Sequence, residues 1–187
     1  MILKNICKSF GDKSVLNNLS VEFKNGSRTC IMGASGSGKT TLLNVIMGLI
    51  KPDSGEMIDP PSRIAAVFQE DRLCEPYSAV ANVLAVTGKE VAEDKILSLL
   101  RELRLQESEY LPVSTLSGGM RRRVALARAL LAKGDTVILD EPFKGLDEDT
   151  RGEVIEVINR YTEGKTLIVS THDIRDASDL GAEIFNL

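Results

Sequence analysis

The stretch Gly33-Ala34-Ser35-Gly36-Ser37-Gly38-Lys39-Thr40 constrains this chain more than any other. It fits G-x-x-x-x-G-K-[ST], and its flanks fit as well. Thr29-Cys30-Ile31-Met32 is an apolar run that predicts a buried strand, and Thr41 to Leu49 carries the apolar spacing of a helix. Glycines let the backbone curl with its N–H groups inward and no Cβ in the way. The helix that follows turns its positive dipole end and its unpaired N–H groups to the same point. Strand, glycine-rich loop and helix in that order make a cradle for nucleotide phosphates. Lys39 supplies a mobile charge for the outer phosphates, and Thr40 supplies a hydroxyl for Mg²⁺. The plain alternative, a structural glycine turn, is disfavoured by the flanking strand and helix.

A chain of 187 residues suits one sizeable core and is short for two independent domains. A net charge of −4 provides no broad basic field for nucleic acid or an anionic membrane. No apolar run approaches the roughly 20 residues of a membrane span, and residues 1–5 lack a signal peptide's apolar stretch, so the expected location is the cytoplasm. The three cysteines, Cys7, Cys30 and Cys74, follow no metal-ligand spacing, and an odd count makes no disulfide framework.

Residues 1–32 read as strands, with Asn25-Gly26 as a hairpin turn, which predicts an antiparallel β layer ending in the phosphate-loop strand. Phe10 near that loop fits a turn or core aromatic as well as a stacking partner for a nucleotide base. Lys51 to Gly55 is a turn cluster, and Ile64 to Phe68 a short buried strand ending at Gln69. Strand ends of an open α/β sheet face its ligand crevice, so Gln69 is a candidate to reach Mg²⁺ or an attacking water. By position alone it is an exposed loop amide. Residues 75–115 change character, with helices expected at Val80 to Val86 and Ala92 to Leu103. Ser117-Gly118-Gly119 then opens a helix through Ala132. Ser117 is a good N-cap and the glycines leave N–H groups open to an anion, although a plain helix cap explains the same letters. Arg121, Arg122 and Arg123 point in three directions from one turn, which predicts a partly solvated face.

Thr136 to Leu139 is a buried-strand run ending in Asp140-Glu141. Two carboxylates at that point of a phosphate-binding chain suit a Mg²⁺ held by Asp140 through water and an attacking water polarised by Glu141. A turn at 144–147, a helix from Asp149 to Tyr161, a strand at 166–170 and a short strand at Ile184-Phe185 complete the α/β pattern. His172, the only histidine, sits just past the strand at 166–170 and is placed to donate to a γ-phosphate.

These pieces, in this order, resemble the ATP-binding cassette (ABC) ATPases across essentially the whole chain. Gly33 to Thr40 match Walker A, Gln69 the Q-loop, Leu116 to Met120 the family signature, Val137 to Glu141 Walker B, Gly145-Leu146-Asp147 the D-loop and His172 the switch histidine. Phe10 stands at the family's base-stacking aromatic. The resemblance implies a P-loop NTPase core with a mainly parallel sheet, an N-terminal antiparallel β layer and a helical insertion. That is one ABC ATPase domain over 1–187, with 1–74 and 116–187 as the core and 75–115 as a helical subdomain. It implies ATP and Mg²⁺ as cofactors. Residues 33–40, Thr41, Ser117, Gly118, Gly119, Asp147 and Phe10 would contact nucleotide, and Thr40, Gln69 and Asp140 the metal. Glu141, His172, Gln69 and Lys39 would take part in catalysis.

The resemblance further implies a head-to-tail pair of copies, each ATP lying between one copy's Walker A and the other's Ser117-Gly118-Gly119. Residues 67–73 are similar to bacterial importers of the nitrate, sulfonate and taurine group. Transmembrane permease subunits and, indirectly, an extracytoplasmic solute-binding protein are then the expected partners, with the chain on the inner face of the membrane. Lys144 stands where a small residue is common, and Arg122 where glutamine is frequent. The alternative is an ABC ATPase acting on a macromolecule such as a ribosome or DNA, against which the acidic charge counts. No nucleic-acid partner is expected.

Overall fold

The computed structural model describes all residues from Met1 to Leu187. Its strands are β1 (Ile2–Phe10), β2 (Lys13–Glu22), β3 (Arg28–Met32), β4 (Ser54–Ile58), β5 (Ile64–Val67), β6 (Thr136–Asp140), β7 (Thr166–Thr171) and β8 (Glu183–Asn186). Its helices are α1 (Lys39–Ile46), α2 (Ala79–Thr87), α3 (Glu93–Glu102), α4 (Gly118–Leu131), α5 (Glu148–Tyr161) and α6 (Ile174–Asp179). Two compact units share them: Met1–Ile64 with Gly134–Asp140 and Gly164–Leu187, and Ala65–Lys133 with Glu141–Glu163.

The first unit holds an antiparallel sheet in the order β2-β1-β4. Leu3 and Ile6 of β1 and Leu16 of β2 are buried, while the residues between them face water. The pairing shifts register around Asn5 and Asn18, both at positive φ (52° and 48°). Asparagine tolerates that left-handed conformation better than other non-glycine residues, which suits it to an irregularity in a ladder. Strand β4 begins inside the segment predicted to be only a turn.

The main sheet has the order β5-β6-β7-β3-β8, with β3 parallel to β7 and β8 and β6 parallel to β7. Strands β6 and β7 are buried along their full length, as strands covered on both faces must be. The turn at Asn25-Gly26 does not make the expected hairpin. The chain turns there, Ser27 N–H donating to Lys24 O at 3.1 Å, but β3 joins the parallel sheet instead of pairing back on β2. The reason lies in β3 itself: Thr29, Cys30 and Ile31 are all buried, a continuous apolar run without the alternation of a half-solvated hairpin strand.

The second unit is helical. Ser78 caps α2, its hydroxyl accepting from Ala81 N–H at 3.1 Å, and Ser117 and Asp147 cap α4 and α5 in the same way. Ile96, Leu99 and Leu100 of α3 are fully buried, against α4 and α5. Buried Asn82 accepts from Cys74 N–H at 2.8 Å and donates to three carbonyls, of Cys74, Tyr77 and Ser78, so its polar side chain is compensated. No helix of the chain is long and apolar enough to cross a membrane.

Candidate functional site

In the first unit the chain leaves β3 at Met32, curls through 33–38 and enters α1 at Lys39. Gly38, at φ 107°, takes a conformation an L side chain rarely adopts, and a Cβ there would lie 2.9 Å from Val15 Cγ1 and 3.1 Å from Val15 O. The loop is thus pressed against β2. No side chain caps α1, which leaves the helix N–H groups to whatever the loop encloses.

Lys39 is buried, with its ammonium donating to Gly33 O at 2.7 Å and Ala34 O at 3.1 Å. The Ser37 hydroxyl is buried with no hydrogen-bond partner. Thr40 Oγ1 donates to Asp140 Oδ2 at 2.8 Å, and the Ser170 hydroxyl donates to the other oxygen of Asp140, itself almost fully buried. An orphaned hydroxyl, a cation resting on loop carbonyls and a helix start without a cap all fit a phosphate-bearing ligand. A hydroxyl and one carboxylate at its edge fit Mg²⁺, which takes few protein ligands when phosphates supply the rest. His172 is exposed, one residue beyond β7. Phe10 is half exposed, the Lys8 ammonium 5.6 Å from its ring centre.

Ser170 carried no sequence signal. Its pairing with Asp140 comes only from the sheet, where β6 and β7 set Asp140 opposite Ser170 in the register.

The second unit carries the remaining residues. Gln69, Ser117, Gly118, Gly119, Lys144 and Asp147 line a cavity of about 610 Å³. Gly119 lies against the backbone of Gly145, where an added Cβ would meet Gly145 O at 2.9 Å. Asp147 accepts from Thr150 N–H and from the Thr150 hydroxyl, both at 2.9 Å, and these bonds hold its carboxyl below its ordinary pKa. Glu141 has φ 50°, a left-handed conformation that costs a non-glycine residue about 1–3 kcal/mol. Its carbonyl accepts from Lys144 N–H at 3.2 Å and from Arg122 Nη2 at 3.0 Å.

The arginine turn departs from expectation. Arg122 is 3% exposed and no part of a solvated face. Its guanidinium reaches Phe68 O at 2.6 Å, Gln69 O at 3.4 Å and the Asp71 carboxylate at 2.9 Å, as well as Glu141. Arg123 donates to the carbonyls of Leu103, Arg104 and Gly119. A side-chain cation becomes buriable when a fork of donors finds carbonyls and a carboxylate, which helical spacing alone does not reveal.

The family model described as ABC transporter matches residues 16–144, which takes in the phosphate loop, the serine-glycine-glycine cap and Asp140-Glu141. The chain belongs to the ABC transporter family. It is therefore an ATP-binding, ATP-hydrolysing cassette, the nucleotide-binding subunit of a transporter. Among curated proteins it is 36% identical over 188 residues to the aliphatic sulfonates import ATP-binding protein SsuB 3 of Rhodococcus jostii, covering 99% of this chain and 70% of that protein. Among solved structures it is similar to the dimeric structure of MJ0796, a bacterial ABC transporter cassette. The TM-score is 0.88 and the identity 31%, over 100% of this chain and 93% of that one. A post-hydrolysis dimer of MJ0796 bound to ADP and Pi matches with the same TM-score at 32% identity. The expected fold class, a P-loop core with a parallel sheet and an antiparallel layer, is borne out.

Proposed function

We propose that this cassette powers import of a small solute through separate membrane-spanning subunits, on the inner face of the membrane, with a solute-binding protein delivering the solute outside. The likeness to an aliphatic sulfonates import protein over nearly the whole chain supports that system type. Two copies of the chain pack head to tail around ATP, as a symmetric pair gives two equal sites. We take residues 1–187 as one ABC ATPase domain, with 1–74 and 116–187 as the core and 75–115 as the helical subdomain.

The observation that carries the site reading is the Thr40–Asp140 hydrogen bond beside the partnerless Ser37 hydroxyl. Residues 33–41 bind the triphosphate, Lys39 moving from loop carbonyls to phosphate oxygens, and Phe10 stacks on the base. Thr40, Asp140 and Gln69 hold Mg²⁺, which when bound neutralises charge on the phosphate oxygens. Glu141 accepts a proton from water as that oxygen attacks the γ-phosphorus and the bond to the β-phosphate oxygen breaks. His172 donates to the γ-phosphate. Ser117, Gly118 and Gly119 of the second copy close the site, with Asp147 beside them.

Purified protein tests this reading. Lys39→Ala should abolish ATP binding. Glu141→Gln should keep binding while turnover falls by about 10²–10⁴-fold, measured as phosphate release. Unchanged turnover in Glu141→Gln would remove the general-base assignment. Affinity capture from membranes should recover membrane-spanning subunits; ribosomes or DNA in their place would refute the transporter partner.

A further inference from the structure

The structure assigns Arg122 a role in positioning: one buried guanidinium ties the Gln69 loop to the backbone of Glu141. This rests on the roles proposed above for those two residues. Nη1 donates to Phe68 O at 2.6 Å and to Asp71 Oδ1 at 2.9 Å, while Nη2 donates to Glu141 O at 3.0 Å and reaches Gln69 O at 3.4 Å. A single planar group therefore bridges the Gln69 loop to the backbone of Glu141. Arginine alone can do this, because its donors sit in a rigid fork, whereas lysine offers one point of charge. The charge is tolerated in the interior because Asp71 pairs with it and the carbonyls take the remaining donors.

The place it grips is the place where backbone direction matters most. Glu141 is held at φ 50°, and the orientation of its peptide sets where its carboxylate points. A second arginine of α4, Arg128, holds Arg72 O at 2.7 Å and Asp71 O at 2.8 Å, so two arginines of the one helix anchor the loop. Arg128 touches only the loop. Arg122 is the one of the two that also reaches Glu141, and a misplacement near 1 Å of a reacting group costs about a hundredfold in rate.

The test uses the full chain with Mg-ATP, measuring kcat and the ATP dissociation constant separately on folded protein. Arg122→Met should lower kcat by about a hundredfold with ATP affinity within about twofold, and Arg122→Lys, which keeps the charge on a single nitrogen without the fork, by about tenfold. Asp71→Asn leaves the carbonyl bonds in place and should lose less than about threefold. A merely structural role predicts a lower Tm with full kcat in the folded fraction, and that result overturns the proposal. So does an Asp71→Asn variant as slow as Arg122→Met. If Arg122→Met does not fold, Arg122→Lys decides by the same criterion. Glu141→Gln, run beside them, separates the two levels: if it turns over normally, the general-base reading has failed, whatever the arginine variants do.

Discussion

In the unit that carries Gly33 to Thr40, the phosphate loop holds its own cation. Lys39 rests on carbonyls five and six residues back, while Asp140 at the end of β6 reaches hydroxyls 100 and 30 residues away. In the unit that carries Ser117 to Gly119, loops far apart in sequence are held by arginines of α4. Arg122 spans to residues 68–71 and 141, Arg123 to 103 and 104, and Arg128 to 71 and 72. The first, in the phosphate loop, is a local backbone shape with one hydroxyl left over. The second is a set of long side-chain tethers. A local shape fails when a glycine is lost; a tethered one fails when a single cation is lost.

The largest effect that would separate them is on the tethered side. Arg123→Met removes charged donors from three carbonyls and should cost about 2 kcal/mol, read as a lower denaturant midpoint. No loss would show that solvent replaces those bonds freely and that the tethers are incidental. Next comes Gly38→Ala, which puts a Cβ against Val15 at a positive φ and should destabilise by more than about 1 kcal/mol while weakening ATP binding. Full ATP affinity in that variant would mean the loop's shape is less demanding than its neighbour Val15 suggests.

Ser37→Ala sharpens the contrast further. Its hydroxyl bonds to nothing in the protein, so stability should hold while ATP affinity drops by about tenfold by calorimetry. A loss of stability instead would make Ser37 structural.

A further effect is on alkaline stability. Burial, and secondarily the charge of Asp176, push the Cys30 thiol from 9.0 up to about 12. Between those values the unfolded thiol has lost its proton and the folded one keeps it. The unfolded state then binds fewer protons, so stability falls as pH rises through the window. Cys30→Ala should flatten that part of the curve, measured as denaturant midpoints at about pH 8 and about pH 10.5.

The contrast also explains what was legible. Gly33 to Thr40 and the cap at Ser117 are read from neighbouring letters, because each acts within a few residues of itself, and Asp140 is read from the apolar strand run that it ends. The helices at 79–87 and 93–102 were expected close to where they lie, since burial of one face leaves a periodic trace. Asn25-Gly26 misled because turn chemistry bends a chain without choosing the next strand's partner. Arg122 misled for a related reason: at its position the letters show a cation on a helix, and only Phe68, Asp71 and Glu141 coming together make it an interior group.

By itself the sequence determined the phosphate cradle, most of the order of strands and helices, with β4 and α6 left out, and the identity of the acids at the end of β6. These depend on local conformation and on burial patterns that repeat along the chain. The tertiary structure alone decided which hydroxyls hold Asp140, which strand β3 joins, and which of three consecutive arginines is buried. Each of those depends on partners tens of residues away, and a side chain's environment is set by what packs against it.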